Sequence, residues 1–401
     1  MKTTAPLSKT QYGIYAECVG YEGEARYNLP YMYVLDGGLD GNRLAKAIEA
    51  AVAAHSTLFT HIELRDDGEP QQTVDDSETF TLAVEEVDDI EAVKKELIQP
   101  FNLYNDRLFH IRLLHDSKHY YMLLDVHHII ADYMSLKVLL ADIEKSYKGR
   151  QLDGEMLTQA QVATQEAEER QSASFDEGKK WYGETFDCGD LFTQLMPDLE
   201  IKEHAEASMV RTLDVEMAEV ERFCGANGLS VSTFFTSAYG YLLAKYNSEK
   251  QSLFATIYNG RSRRFMRSVG MAVKTLPVYT KFEDATSVVD FLKAGEEQMS
   301  GCRQHDIYSF SDVMQDLALQ YNSVFAWHGK LFADEQFCDL PMKTIRLCNS
   351  TLEASLYLKA FILNGKYQIK AEYNSNEYSQ ALIHQFLESY EAVIEGFLTQ
   401  E

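Results

Sequence analysis

The chain has 401 residues, 45% hydrophobic and 25% charged, a globular composition with material for two or three folding units. Its formal net charge of −25 argues against a nucleic-acid surface, which needs a basic face. No run approaches the ~18 apolar residues of a membrane span, and Met1–Pro6 lacks an apolar export signal, so the reading is a soluble cytoplasmic protein with no membrane or nucleic-acid partner.

Tyr31–Leu35 reads as a strand, and Asn42–His55 as an amphipathic helix with Leu44, Ile48, Ala51 and Val52 on one face. Ser56–Leu64 reads as extended, and Asp89–Gln99 as a second helix that Pro100 stops. His119–Val126 is aromatic and apolar enough for a largely buried strand. Met134, Leu136, Val138, Leu139, Leu140 and Ile143 then recur at helical spacing through Asp132–Lys148, with Asp132 placed as N-cap. From Gly149 to about Lys179 the pattern fades into Gln, Glu, Ala and Ser, a linker with some helix.

The second half repeats the alternation. Val210–Val215 is strand-like, Ala218–Ala226 and Ser232–Tyr246 are helical, and Gln251–Tyr258 is an apolar strand. Ser355–Leu363 and Lys366–Tyr373 flank Asn364-Gly365, the dipeptide suited to a type I′ hairpin turn, and a last helix covers Ser379–Leu398. The division predicted is an N-terminal lobe over 1–165, a linker over 166–180 and a C-terminal lobe over 181–401. Six cysteines, Cys18, Cys188, Cys224, Cys302, Cys338 and Cys348, are scattered without CxxC spacing, so neither a zinc site nor a disulfide framework is predicted.

Chemistry concentrates in His127-His128-Ile129-Ile130-Ala131-Asp132, at the junction of the buried strand with the helix after it. Such a turn points side chains out of a rigid scaffold. Histidine exchanges a proton near neutral pH, and with no GxSxG or HExxH nearby the imidazole is expected to activate the substrate's own nucleophile in acyl transfer. Adjacent residues of an extended chain face opposite sides, so only one of the two histidines can face a given cavity. Asp132 is placed to brace the turn, by capping the helix or by pairing with an arginine. The same six residues also fit two packed core histidines and an ordinary capping aspartate. Arg261, Arg263, Arg264 and Arg267 follow Tyr258-Asn259-Gly260, either as a solvated face or as a local attraction for phosphate.

The hexapeptide matches HHxxxD of the HHxxxDG motif, and the chain resembles a condensation domain of nonribosomal peptide synthetases, in the chloramphenicol acetyltransferase-like superfamily. Leu7–Tyr15 resembles the family's opening motif, a Ser and a Gln leading into an aromatic-rich helix. Ala54–Phe59 resembles RHExLR, Val269–Thr275 resembles VGxFVNT, His305–Phe310 resembles HxxYPF, and Asn322–Phe325 resembles NPLF. The resemblance spans about residues 7–398, and only the histidine motif is individually specific.

The resemblance implies an α/β fold of two acetyltransferase-like lobes in a V, with a tunnel between them. It further implies donor and acceptor carrier proteins whose phosphopantetheine arms enter from opposite faces, with no cofactor bound directly and no metal. An amine on the acceptor then attacks the donor thioester. His128 is expected beside that amine, with His127 accompanying it and Asp132 as a structural brace, Arg261 being its candidate partner. Tyr133, Ser135, Asn322 and Lys274 are expected along the tunnel, and Arg261, Arg263 and Arg264 in structural or phosphate-contacting roles. A monomer is expected, followed in its native synthetase by an adenylation domain.

Three positions depart from the family pattern. Tyr133 stands at the motif's glycine, and either narrows the tunnel or packs as a core aromatic. Phe59 replaces the last arginine of RHExLR, and Lys274 the asparagine of VGxFVNT. Heterocyclising relatives carry Asp in place of His127, and the second catalytic glutamate motif of epimerising relatives is not found. Met1 lies six residues before the opening motif, so if it is the native start the expectation is an initiating, N-acylating module. Two other readings stand beside condensation: a degenerate, non-catalytic domain that docks carrier proteins or partner enzymes, and a freestanding acyltransferase using acyl-coenzyme A.

Overall fold

Pro6 ends the first strand, β1 (Lys2–Pro6), and Ser8 starts the first helix, α1 (Lys9–Gly20), through a reciprocal capping box with Gln11. These elements come from a computed structural model that describes residues 2–21, 23–200, 205–283, 285–330, 336–347 and 354–399; Cys348 lies outside them. There follow β2 (Asn28–Asp36), α2 (Gly41–Ala53), β3 (Thr60–Leu64), β4 (Pro70–Asp75), β5 (Val84–Glu86), α3 (Ile90–Leu97), β6 (Phe109–His115), β7 (His119–His127), α4 (Tyr133–Tyr147) and α5 (Gln159–Glu169). Next are α6 (Ala173–Thr185), β8 (Glu206–Thr212), α7 (Met217–Asn227), α8 (Val231–Tyr246), β9 (Gln251–Tyr258), β10 (Lys274–Lys281), α9 (Val288–Gln304), α10 (Phe310–Leu317) and β11 (Ser323–Gly329). The last are β12 (Gln336–Phe337), β13 (Leu340–Pro341), β14 (Lys343–Arg346), β15 (Leu356–Leu363), β16 (Lys366–Asn374) and α11 (Gln380–Thr399).

Local chemistry explains most boundaries. Asp40, Asp89, Asp132, Thr158, Ser172 and Ser230 each cap a helix by accepting from a backbone N–H of its first turn. Asn364 and Gly365 both take positive φ, 51° and 70°, as a type I′ turn demands. Ser56–Leu64, expected extended throughout, begins with a 3-10 turn over Ser56–Phe59 before β3. The stretch read as a linker with some helix holds α5 and much of α6.

The chain divides into two compact units. The first is Met1–Gln171 with Asn259–Val273 and Glu335–Ser350; the second is Ser172–Tyr258 with Lys274–Asp334 and Thr351–Glu401. Each unit is therefore discontinuous in sequence. In the first, a five-stranded sheet runs β14-β2-β7-β6-β5, beside a three-stranded sheet β1-β4-β3. The two late segments belong here for a packing reason: Val269, Met271 and Phe337 are buried in this unit's core, and β14 pairs with β2. That core joins Leu44, Ile48 and Val52 of α2 and Leu136, Leu139 and Ile143 of α4 to Tyr33, Met122, Leu124 and Val126 of the sheet. The opposite face carries Met32, Leu114 and Leu123, packed with Leu97.

In the second unit one six-stranded sheet runs β10-β9-β11-β15-β16-β8. Its core holds Phe234, Phe235 and Tyr239 of α8 with Phe325, Leu358, Ile369, Phe386 and Tyr390.

Candidate active site

The strand β7 delivers the histidine pair. Its residues alternate between faces, so Met122, Leu124 and Val126 enter the core while Leu123, Asp125 and His127 lie on the other side. His127 is buried. Its Nδ1 accepts from the Ile129 N–H at 3.1 Å and carries no proton, which leaves the proton on Nε2, 3.6 Å from Cys18 Sγ. Burial, with some help from neighbouring His128, pushes its pKa down to about 3, so the ring stays neutral. Burial also pushes the Cys18 thiol up to about 12, which keeps it protonated and leaves no thiolate beside the imidazole.

His128 is different. It is half-buried, its ring makes no hydrogen bond among the described residues, and its Nδ1 is enclosed without a partner. Its backbone is pinned on both sides: its own N–H donates to Tyr27 O at 2.7 Å, and the next N–H, that of Ile129, is held by His127. The Tyr27 ring lies edge-on, 6.5 Å from the His128 ring.

After the turn, Asp132 caps α4 and pairs with Arg261, Oδ1 to Nη2 at 2.6 Å, both side chains fully buried. Its Oδ2 accepts from the Ala272 N–H. Arg261 donates further to the carbonyls of Phe265, Ser268 and Gly270 and to Ser135 Oγ. Its guanidinium is thus turned into the unit and spent on internal acceptors, away from any phosphate in solvent. Ser135 is also fully buried, receiving the Gly270 N–H as well as Arg261. Its hydroxyl binds protein groups rather than lining an open channel.

The remaining predicted residues divide between the two units. Tyr133 opens α4, half-buried, with its ring 5.6 Å from that of Tyr31 and packed against the first unit's core. Phe59 is buried in that core, edge-on to Phe109. Arg263 and Arg264 are exposed in the first unit. Asn322 and Lys274 belong to the second unit, where Asn322 donates to Gln194 Oε1 at 2.7 Å and Lys274 pairs with Asp306 at 3.1 Å.

Several groups around the turn had no separate signal in the sequence. Gln11 donates from Nε2 to Ile129 O at 2.9 Å, and Cys18, two turns along the same helix, meets His127. Asp125 is fully buried, held by Asn28 at 2.6 Å, and burial lifts its pKa to about 7 despite that hydrogen bond. Only the Ser8 and Gln11 letters of the opening motif pointed here; their partner in the turn lies 118 residues away. Among the described residues no three His, Cys, Asp or Glu side chains gather as a metal site, and no helix is long and apolar enough to cross a membrane.

Comparison with known proteins agrees with this architecture. The condensation-domain family profile matches residues 1–400. Tyrocidine synthase 3 of Brevibacillus parabrevis is 28% identical over 327 residues, covering 78% of this chain and 5% of that protein. The chain spans between 5% and 16% of the length of eight curated synthases it matches. The condensation domain from the monacolin K polyketide synthase superposes with a TM-score of 0.82 at 16% identity, covering 99% of this chain and 97% of that one. The X-domain solved in complex with OxyB from teicoplanin biosynthesis superposes at 0.81 and 19% identity, covering 98% and 93%. The chain belongs to the condensation-domain family, with its chloramphenicol acetyltransferase-like α/β fold.

Proposed function

We propose that this domain forms an amide bond between an acyl or peptidyl thioester on a donor carrier and an aminoacyl group on an acceptor carrier, in nonribosomal peptide synthesis. The observation that carries this reading is His128: an imidazole with no hydrogen bond among the described residues, on a backbone pinned on both sides, beside a His127 held neutral. In the reaction the amine nitrogen attacks the donor carbonyl carbon, the C–S bond breaks, and the leaving sulfur receives the proton that the amine loses. His128 orients the amine and relays that proton, while Asp132 and Arg261 hold the turn. A thioester is already activated, so positioning supplies much of the acceleration and general-base help adds typically ~10²–10⁴-fold.

The domain is incubated with separately loaded donor and acceptor carriers, and amide product is sought by mass spectrometry. Product from the wild type and its loss in His128→Ala are expected. Equal product from both would sink the assignment.

A second reading, a docking domain without chemistry, is favoured by Tyr133, a large ring at the position of the motif's glycine. The X-domain's fold likeness is compatible with it. No product from the wild type but product from Tyr133→Gly would place the block at that side chain. Product from neither would favour docking alone.

A further inference from the structure

We infer that Gln11 is a positioning residue for His128, acting through the backbone of the residue that follows it. The orientation of its amide is forced. Oε1 accepts from the Ser8 N–H at 3.0 Å and from Gln72 Nε2 at 3.1 Å, so the amino group must face Ile129 O, 2.9 Å away. Gln72 is fixed in turn, since the same Nε2 also donates to Pro6 O at 2.7 Å. Gln11 and Gln72 are both fully buried. The amide relay therefore runs from the end of β1 through β4 and the first turn of α1 into the histidine turn.

The location makes the contact consequential. The peptide before Ile129 is held by His127 Nδ1 on its N–H, and the peptide after it by Gln11 on its carbonyl. With Tyr27 O holding the His128 N–H in continuation of the β2–β7 register, three consecutive peptide groups around His128 are anchored. Rotation at His128 or Ile129 would break at least one buried hydrogen bond. The direction in which the His128 ring leaves the turn is thereby set from α1.

This inference rests on the reading of His128 as the working imidazole, and the test separates the two. Gln11→Glu is the informative variant: as a carboxylate it keeps an acceptor for Ser8 N–H and Gln72, hence the capping box, and removes the donor to Ile129 O. Burial favours the acid form, whose O–H donates to Ile129 O again, so exchange is read with the carboxyl ionised, as followed by NMR. Amide exchange at His128, Ile129 and Ile130 is measured in the folded protein, alongside steady-state kinetics with loaded carriers. The expected result is a folded variant in which protection at these amides falls about five- to tenfold. Turnover should fall by about 10–100-fold with the acceptor KM little changed, as misplacement without lost binding requires. Protection unchanged once the introduced carboxyl is ionised would overturn the inference, whatever the turnover. If the wild type makes no amide, the functional reading fails while exchange still decides the role of Gln11. If Gln11→Glu does not fold, Gln11→Met decides instead: it fills a similar volume with no donor for Ile129 O, and a loss of protection at the turn is expected, with no loss overturning the inference.

Discussion

His55 makes the first unit's stability depend on pH near neutrality. It is almost fully buried, with Nε2 3.0 Å from Asp142 Oδ2 and Nδ1 3.0 Å from Glu155 Oε1, so both nitrogens face carboxylates and both must donate. Burial alone would lower its pKa, but the hydrogen bonds and charges of Asp142 and Glu155 reverse that and raise it from 6.5 to about 8. The cluster ties distant segments together, for Glu155 also accepts the Val269 N–H and Arg267 lies 3.8 Å from Asp142. A folded pKa above the unfolded one means stability that is fully present below pH 6.5 and lost as pH rises through about 8. A gap of this size corresponds to about 2 kcal/mol.

Urea unfolding of the wild type followed by circular dichroism should lose about 2 kcal/mol between roughly pH 6 and pH 9 through this group. His55→Gln leaves at least one buried carboxylate without a charged partner and should cost about 3–5 kcal/mol at the acid end, with a flatter pH dependence. Both tryptophans, Trp181 and Trp327, lie in the second unit, so tryptophan fluorescence is an internal control for that unit. Parallel pH curves for wild type and variant would refute the reasoning, as would an NMR titration placing His55 below its ordinary value.

Three further perturbations follow from the same geometry. Arg261→Met strands the buried Asp132 charge and should cost about 3–5 kcal/mol, part of which the double variant with Asp132→Asn recovers; a change under about 1 kcal/mol in urea unfolding would deny the pair its role. Asp125 keeps its proton to about pH 7 in the folded state but loses it near 3.8 when unfolded, so it lowers stability as pH rises between those values. Asp125→Asn should flatten that slope, and urea midpoints at about pH 5 and about pH 8 that shift as in the wild type would contradict this. A Cβ at Gly270 would stand 2.4 Å from Gln159 Oε1 and 2.5 Å from Phe265 Cζ, so Gly270→Ala should destabilise by about 1–3 kcal/mol, and an unchanged melting temperature would count against it.

Much of the local structure was legible from residue patterns. The helix cap at Asp132, the Asn364-Gly365 turn and the apolar faces of α2 and α4 are set by interactions within a few residues, where composition and spacing carry the information. The histidine turn was legible for the same reason, since strand, turn and cap are contiguous. Short or half-polar strands such as β1, β5 and β14 were not. β14 exists because its four residues pair with β2, some 300 residues earlier, and not because of any alternation of its own.

The sequence by itself determined which residues could do acid–base chemistry and where a turn would present them. Tertiary structure alone decided how they differ. Two adjacent histidines of identical chemistry became a neutral, hydrogen-bonded spacer and a ring without a hydrogen bond among the described residues, because strand alternation buried His127 against Cys18 and left His128 half-exposed. Arg261, one of four nearby arginines, became the internal partner of Asp132 because its segment folds back into the first unit and buries Val269 and Met271. Gln11 acquired its contact only through the packing of α1 on the turn. Pairings across more than a hundred residues depend on burial and register, and no local pattern encodes either.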